Sequence, residues 1–224
     1  MPDGSAYFVR RWDSVQLIDA HAGTARYEVT GFADHVTNIA VTSDGKYAAA
    51  ADFQGNTITF DATTGATLPR QHGQWVQFIP GTHVEVLTDY FARKIDFIDT
   101  ASGQSVQSSL STVALEFPTA FSADGRTLYA ASNDGTWRMY DLATQLQIGD
   151  GFAQEGQIVV PLLLGTTHVL ASSGAVHVWN TDTTTWGDVA CRAAGRNLTQ
   201  DEWRIYLPPG EPYRPTCPDF PPGP

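Results

Sequence analysis

His83 and Glu85 stand two residues apart, a spacing that places two side chains on one face of a strand, where an imidazole and a carboxylate could share a divalent metal. A metal needs further ligands. The other histidines, His21, His35, His72, His168 and His177, fall at unrelated points of the chain, so the pair reads as two residues on a strand surface, and no metal or cofactor site is expected. His177 alternates with Val176 and Val178 and should point outward. Gly45-Lys46-Tyr47 lacks the glycine spacing of a phosphate loop, and neither His-Glu-x-x-His, Cys-x-x-Cys nor Gly-x-Ser-x-Gly occurs. Adjacent cations stand only at Arg10-Arg11 and Arg93-Lys94, which are expected at solvated loop tips. Trp12, Trp75 and Trp137 are expected in the core rather than in a ligand cage. These residue types form no catalytic constellation, and an enzyme is not expected.

The balance of charge narrows the partners. Of 224 residues, 13 are Lys or Arg and 24 are Asp or Glu, a formal net charge of −11. A surface that neutralises phosphates needs clustered cations, so nucleic acid is not an expected partner of this chain. The longest apolar run, Ile158 to Leu164, contains Pro161 and falls far short of the ~20 residues that span a bilayer. The opening residues carry no basic segment followed by an apolar stretch, so no signal peptide is expected in them. A hydrophobic fraction of 42% suits a folded chain of one or two domains.

What must position any site is a repeat. Val15-Gln16-Leu17-Ile18-Asp19, Thr57-Ile58-Thr59-Phe60-Asp61, Ile95-Asp96-Phe97-Ile98-Asp99, Trp137-Arg138-Met139-Tyr140-Asp141 and Val176-His177-Val178-Trp179-Asn180 recur every 38 to 42 residues. Apolar residues alternate in four of them, as in strands with one buried face; the second has Thr57 and Thr59 there. Each closing Asp should accept backbone N–H bonds in the turn that follows. Asp3-Gly4, Asp44-Gly45 and Asp124-Gly125 are hairpin-type turns some 15 to 18 residues earlier, with Pro80-Gly81 and Leu164-Gly165 in the corresponding places. Thr64-Gly65 and Ser102-Gly103 introduce a further, outer strand. Four antiparallel strands in roughly 40 residues, repeated radially, make one propeller blade.

Thr42-Ser43-Asp44-Gly45, Ser122-Ala123-Asp124-Gly125, Tyr140-Asp141 and Trp179-Asn180 resemble the turn and closing motifs of the WD-repeat family. The resemblance spans about residues 1–182. It departs at Gly31-Phe32, where the family has Gly-His, so the blades should be held mainly by apolar packing. The expected fold is all-β: an incomplete propeller of about four and a half four-stranded blades over 1–182. The first blade is truncated, because Pro2-Asp3-Gly4 already sits at the turn; it should keep only its two outer-half strands. The chain is therefore read as the C-terminal portion of a longer protein.

Residues 183–224 differ. Trp186 to Ala194 reads as a short helix ending at Gly195, and Leu198-Thr199-Gln200-Asp201-Glu202-Trp203 as a helix start with a capping box and a hydrophobic staple. Pro208-Pro209 should stop that helix, and the proline-rich remainder should be an extended strap. Asn197-Leu198-Thr199 matches a glycosylation sequon, but capping is the better reading. Trp203, Tyr206 and Tyr213 are expected to anchor this tail on the propeller. Cys191 and Cys217 are expected close together, as a disulfide in an oxidising compartment or as buried thiols in a reducing one. Ala190-Cys191, Gly195-Arg196-Asn197-Leu198-Thr199, Glu202-Trp203, Tyr206 and Tyr213-Arg214-Pro215-Thr216-Cys217-Pro218 resemble the C-terminal segment of large actinobacterial WD-repeat proteins similar to STAND-type signalling proteins. That resemblance implies a parent regulator and a cytoplasmic place, or an extracytoplasmic one if the upstream part carries a membrane segment.

The expected function is a non-catalytic protein- or peptide-binding or sensing module. The alternative is a small-ligand, metal- or quinone-binding propeller enzyme, which would need carboxylates, Asn or His from several blades converging on one face.

Overall fold

The computed structural model describes residues 1–153, 162–164, 168–172, 176–207 and 209–221, in two compact units, Met1–Val178 and Trp179–Pro224. The first unit is a series of antiparallel sheets in chain order. Sheet 1 holds β1 (Ala6–Arg10), β2 (Ser14–Asp19) and β3 (Ala25–Thr30). Sheet 2 holds β4 (Val36–Val41), β5 (Tyr47–Asp52), β6 (Asn56–Asp61) and β7 (Gln71–His72). Sheet 3 runs β8 (Trp75–Phe78), β9 (Val84–Asp89), β10 (Lys94–Asp99) and β11 (Leu110–Ser111). Sheet 4 runs β12 (Glu116–Phe121), β13 (Thr127–Ser132), β14 (Thr136–Asp141) and β15 (Leu146–Gln147), with β16 (Phe152–Ala153) also on β14. Sheet 5 holds β17 (Leu162–Leu164), β18 (His168–Ser172) and β19 (Val176–Asn180). Among the described residues the sheets do not close a ring.

One expectation fails here. Sheet 1 has three strands rather than two, because the outer strand introduced by each Gly turn pairs back onto the strand before it: β3 joins β2, and β7 joins β6. The local turn dictates this. Asp19 Oδ1 accepts from the N–H groups of His21 (2.9 Å) and Ala22 (2.8 Å), and Gly23, at φ 67°, donates to the Asp19 carbonyl. Asp61 and Asp141 cap their turns in the same way, and Asp99 does so through Ser102. A carboxylate that satisfies two turn amides folds the chain straight back on itself. What sheet 1 lacks is the inner strand. β5, β9 and β13 each have an inner neighbour, whereas β1 is a sheet edge with Tyr7 half exposed.

The cores lie between sheets. In β5 the run Ala48-Ala49-Ala50-Ala51 serves two of them: Ala48 and Ala50 pack with Val15, Ile58 and Phe60 toward sheet 1, while Ala49 and Ala51 pack with Val76, Phe78 and Leu87 toward sheet 3. Small side chains on both faces let neighbouring sheets approach closely. Val86, Ile95, Phe97, Leu128 and Tyr140 fill the next seam, between sheets 3 and 4. Side chain-to-backbone bonds also link neighbouring sheets along the inner strands. Arg10 Nη1 donates to the Thr37 carbonyl, and Thr37 Oγ1 donates to the Gln74 carbonyl (2.6 Å). Asn38 holds both the N–H (3.1 Å) and the carbonyl (2.6 Å) of Val76, and Trp75 Nε1 donates to the Pro118 carbonyl (2.8 Å).

In the second unit, α1 (Thr183–Ala194) starts three residues before the expected point and ends at Gly195, whose φ is 65°. α2 (Gln200–Tyr206) carries the expected capping box: Glu202 N–H donates to Thr199 Oγ1 (3.1 Å) and Thr199 N–H to Glu202 Oε2 (2.8 Å). Trp203 is buried, edge-on to Tyr213, with its Nε1 donating to the Glu211 carbonyl (2.9 Å). A disulfide joins Cys191 to Cys217, with Cα atoms 5.4 Å apart. Beside it, Asn197 is buried. Its Nδ2 donates toward the carbonyls of Cys217, Phe220 and Pro221, and its Oδ1 accepts from Cys217 N–H (2.7 Å). No helix among the described residues is long and apolar enough to cross a membrane.

Candidate protein-docking face

Antiparallel alternation brings two kinds of loop to one end of sheets 1 to 4: the β1–β2, β5–β6, β9–β10 and β13–β14 turns, and the connections entering sheets 2 and 4. Backbone bonds stitch them together. Val36 N–H donates to the Trp12 carbonyl, Phe53 N–H to His35, Thr112 N–H to Arg93 and Asn133 N–H to Leu115. Most of the exposed large apolar side chains of the first unit stand on these loops. They are Trp12 (72% exposed), Phe53 (51%), Phe91 (82%), Val113 (63%) and Leu115 (38%). His35 lies between Trp12 and Phe53, with ring centroids 5.2 Å from each, so a continuous aromatic stack joins sheets 1 and 2. Exposed apolar groups gathered on one set of loops form a surface suited to a partner.

The polar groups beneath are spoken for. Asp34 accepts from His35 N–H and lies 2.9 Å from its Nδ1, and these contacts, with Gln54, hold its carboxyl below the usual range. Asp52 is buried, which opposes its charge, but Asn56 and the Ala33 N–H outweigh that and keep it ionised. In sheet 4, burial pushes the Glu116 carboxyl up, although Tyr140 Oη donates to it (2.6 Å) and Arg138 lies 3.2 Å away. Arg138 also binds Asp134 (2.6 Å). These are networks that fix loops, with their capacity used internally.

The opposite ends of the sheets are different. They carry the turn carboxylates Asp19, Asp44, Asp61, Asp99, Asp124 and Asp141, each accepting backbone N–H bonds. Backbone donation from Ala22, then the Arg26 guanidinium, brings Asp19 down to about 2. The exposed Trp12, Phe53 and Phe91 thus gather at one end of the repeat, and the turn carboxylates at the other.

Several sequence expectations land elsewhere. Trp12 is not core; it stands on the β1–β2 turn in solvent, whereas Trp137 is fully buried and Trp75 bridges sheets 3 and 4. His83 and Glu85 do not share a surface. His83 Nε2 meets Asp44 Oδ2 of sheet 2 at 2.8 Å, while Glu85 is 1% exposed. No cluster of three or more His, Cys, Asp or Glu close enough to hold a metal exists among the described residues. Arg10-Arg11 and Arg93-Lys94 both fall at the apolar end, with Arg11 on Gln16 and Lys94 on Asp96. The side chains of His168 and His177 lie outside the described residues. Phe53 and Phe91 were not singled out from sequence, although an aromatic residue directly after a strand-closing Asp or one residue further on was the available signal.

No family model and no curated protein matches this sequence. Solved structures do. RRP9 WD40 repeats match with a TM-score of 0.69 at 22% identity, over 81% of this chain and 58% of that one. The β-propeller domain of Swd1 from Myceliophteria thermophila matches with a TM-score of 0.69 at 15% identity, over 80% and 64%. The fold is a partial β-propeller. The dihydro-haem d1 dehydrogenase NirN matches as well, with a TM-score of 0.65 at 19% identity, over 80% of this chain and 42% of that one. The propeller therefore spans less than two thirds of the structures it resembles, and the likeness speaks to fold alone.

Proposed function

We propose that this propeller is a non-catalytic binding or sensing module, the C-terminal part of a larger bacterial regulator, and that its aromatic loop end is the docking face for a protein segment. The row of exposed Trp12, Phe53, Phe91 and Val113 carries this reading, since a folded chain gains nothing by exposing such side chains together on its loops. Large flat aromatic groups are also the residues that dominate protein interfaces. The net charge of −11 favours basic or neutral partners.

The test is a peptide array of basic, neutral and acidic sequences, followed by titration in solution. Binding of basic or neutral peptides that falls at least tenfold in Trp12→Ala and Phe91→Ala, with circular dichroism unchanged, supports the proposal. Loss of neither, or salt-sensitive binding of duplex DNA, counts against it. A melting temperature raised by several degrees with calcium favours the enzymatic or ligand-binding alternative instead.

A further inference from the structure

Glu85 is a buried carboxyl group with no role in the docking face. It stands on β9, opposite Phe78 of β8 and Ile98 of β10, on the side of sheet 3 that packs against sheet 2. Thr59 of β6 belongs to the facing side of sheet 2, paired with Ala49. Glu85 Oε2 and Thr59 Oγ1 are both buried without a well-formed hydrogen bond, and the hydroxyls of Thr59 and Thr100 are the polar groups that act on the carboxyl. An ionised carboxylate can only accept, and in an apolar seam it needs donors or a cation. The Thr59 and Thr100 hydroxyls beside it favour the anion, but neutral hydroxyls do not replace the solvation that a buried carboxylate loses, so the seam still favours the neutral acid.

The charged groups around the seam do not compensate. His83, two residues away, turns its ring to Asp44. Lys46 lies over the Tyr47 ring, and Lys94 is paired with Asp96. Asp99, at the end of β10, adds repulsion. β4 and β8 contribute no charged residue.

We propose that Glu85 is a proton-operated catch in the joint between sheets 2 and 3, closed while the carboxyl is neutral and loosened when it ionises and draws water into the seam. Burial pushes this carboxyl up to about 7, with the Asp99 charge acting in the same direction and the Thr59 and Thr100 hydroxyls opposing it. The sign follows from linkage. The folded chain holds the proton over a range in which the unfolded chain has released it, so stability is greatest below the ordinary carboxyl range, falls as pH rises toward 7, and levels above it.

The experiment compares wild type with Glu85→Gln, which keeps the shape and removes the charge. Melting temperatures are read from pH 4.5 to 8, with amide exchange in β6 and β9 corrected for intrinsic rate. Wild-type stability should fall across that range, with exchange in β6 and β9 rising about tenfold or more, while Glu85→Gln loses most of that slope and shows no such rise in β6 and β9. A carbon-13 carboxyl titration of wild type should give a midpoint near 7, and Thr59→Val should move it higher. Parallel pH profiles in wild type and Glu85→Gln, or a Glu85 midpoint in the ordinary carboxyl range, would overturn the proposal.

Discussion

Arg93 and Gln145 adopt left-handed backbone conformations, with φ of 51° and 58°, at turn positions where Gly is the usual occupant. The Arg93 side chain is exposed, and its carbonyl serves Thr112, a bond that survives substitution. Relief of the left-handed penalty, less the entropy cost of glycine, should make Arg93→Gly more stable by about 1 kcal/mol in urea unfolding. Gln145→Gly should gain nothing, because Gln145 also exchanges hydrogen bonds with the Ser108 hydroxyl and carbonyl. Asn197 makes the opposite case. Its amide is consumed by the strap carbonyls, so the sequon should remain unmodified in a glycosylating host, as intact mass would report, and Asn197→Ala should cost about 1–3 kcal/mol through the groups left unpaired. Residue types alone did not disclose the burial of either Asn197 or Glu85. Each is a polar residue whose burial depends on a segment distant in sequence, which no local pattern encodes.

At the scale of elements, the capping box on α2 is the most legible piece of the chain, because all its partners lie within four residues. Thr199→Ala should lower stability of the second unit by about 1 kcal/mol. Glu202 is held down to about 2, first by Arg196 and then by the Thr199 backbone, so its contribution is complete above the ordinary carboxyl range and is lost as pH falls toward 2. Helicity measured down the acid limb should show that loss, and Arg196→Gln should move it to higher pH. The strands were equally readable, since alternation and Asp-Gly turns are local. Strand ownership was not. Whether the outer strand joins the sheet before or after it depends on how the turn bends, and the Asp19 and Asp61 turns settle that by hydrogen bonds a composition cannot show. The placement of Trp12 failed for a related reason: a turn between strands offers no core to an aromatic residue, however apolar.

For the whole molecule, the two compact units predict separable responses. The Cys191–Cys217 disulfide closes a loop of 26 residues, for which the chain-entropy model gives about 3–4 kcal/mol. Reductant should therefore weaken the second unit and leave the melting of the sheets unchanged; a shift in both would contradict that division. Sheet 1 presents β1 as an edge with Tyr7 half exposed, an invitation to association. Tyr7→Lys should raise the monomer fraction in sedimentation velocity. Where the loops face a partner, the same measurement should be insensitive to Phe91→Ala.

The bonds from Arg10 to Thr37, from Thr37 and Asn38 to Gln74 and Val76, and from Trp75 to Pro118 couple sheets 1 to 4 in single file. In a closed circle a broken coupling leaves another route around; in an arc it divides the assembly. The sheets should therefore behave as a one-dimensional array whose cooperativity is only as long as its weakest joint. Asn38→Ala removes both bonds to Val76, and native-state exchange should then resolve sheets 1 and 2 from sheets 3 and 4 as two opening units where wild type has one. An open arc, on this view, can come apart in the middle as readily as it frays at its ends.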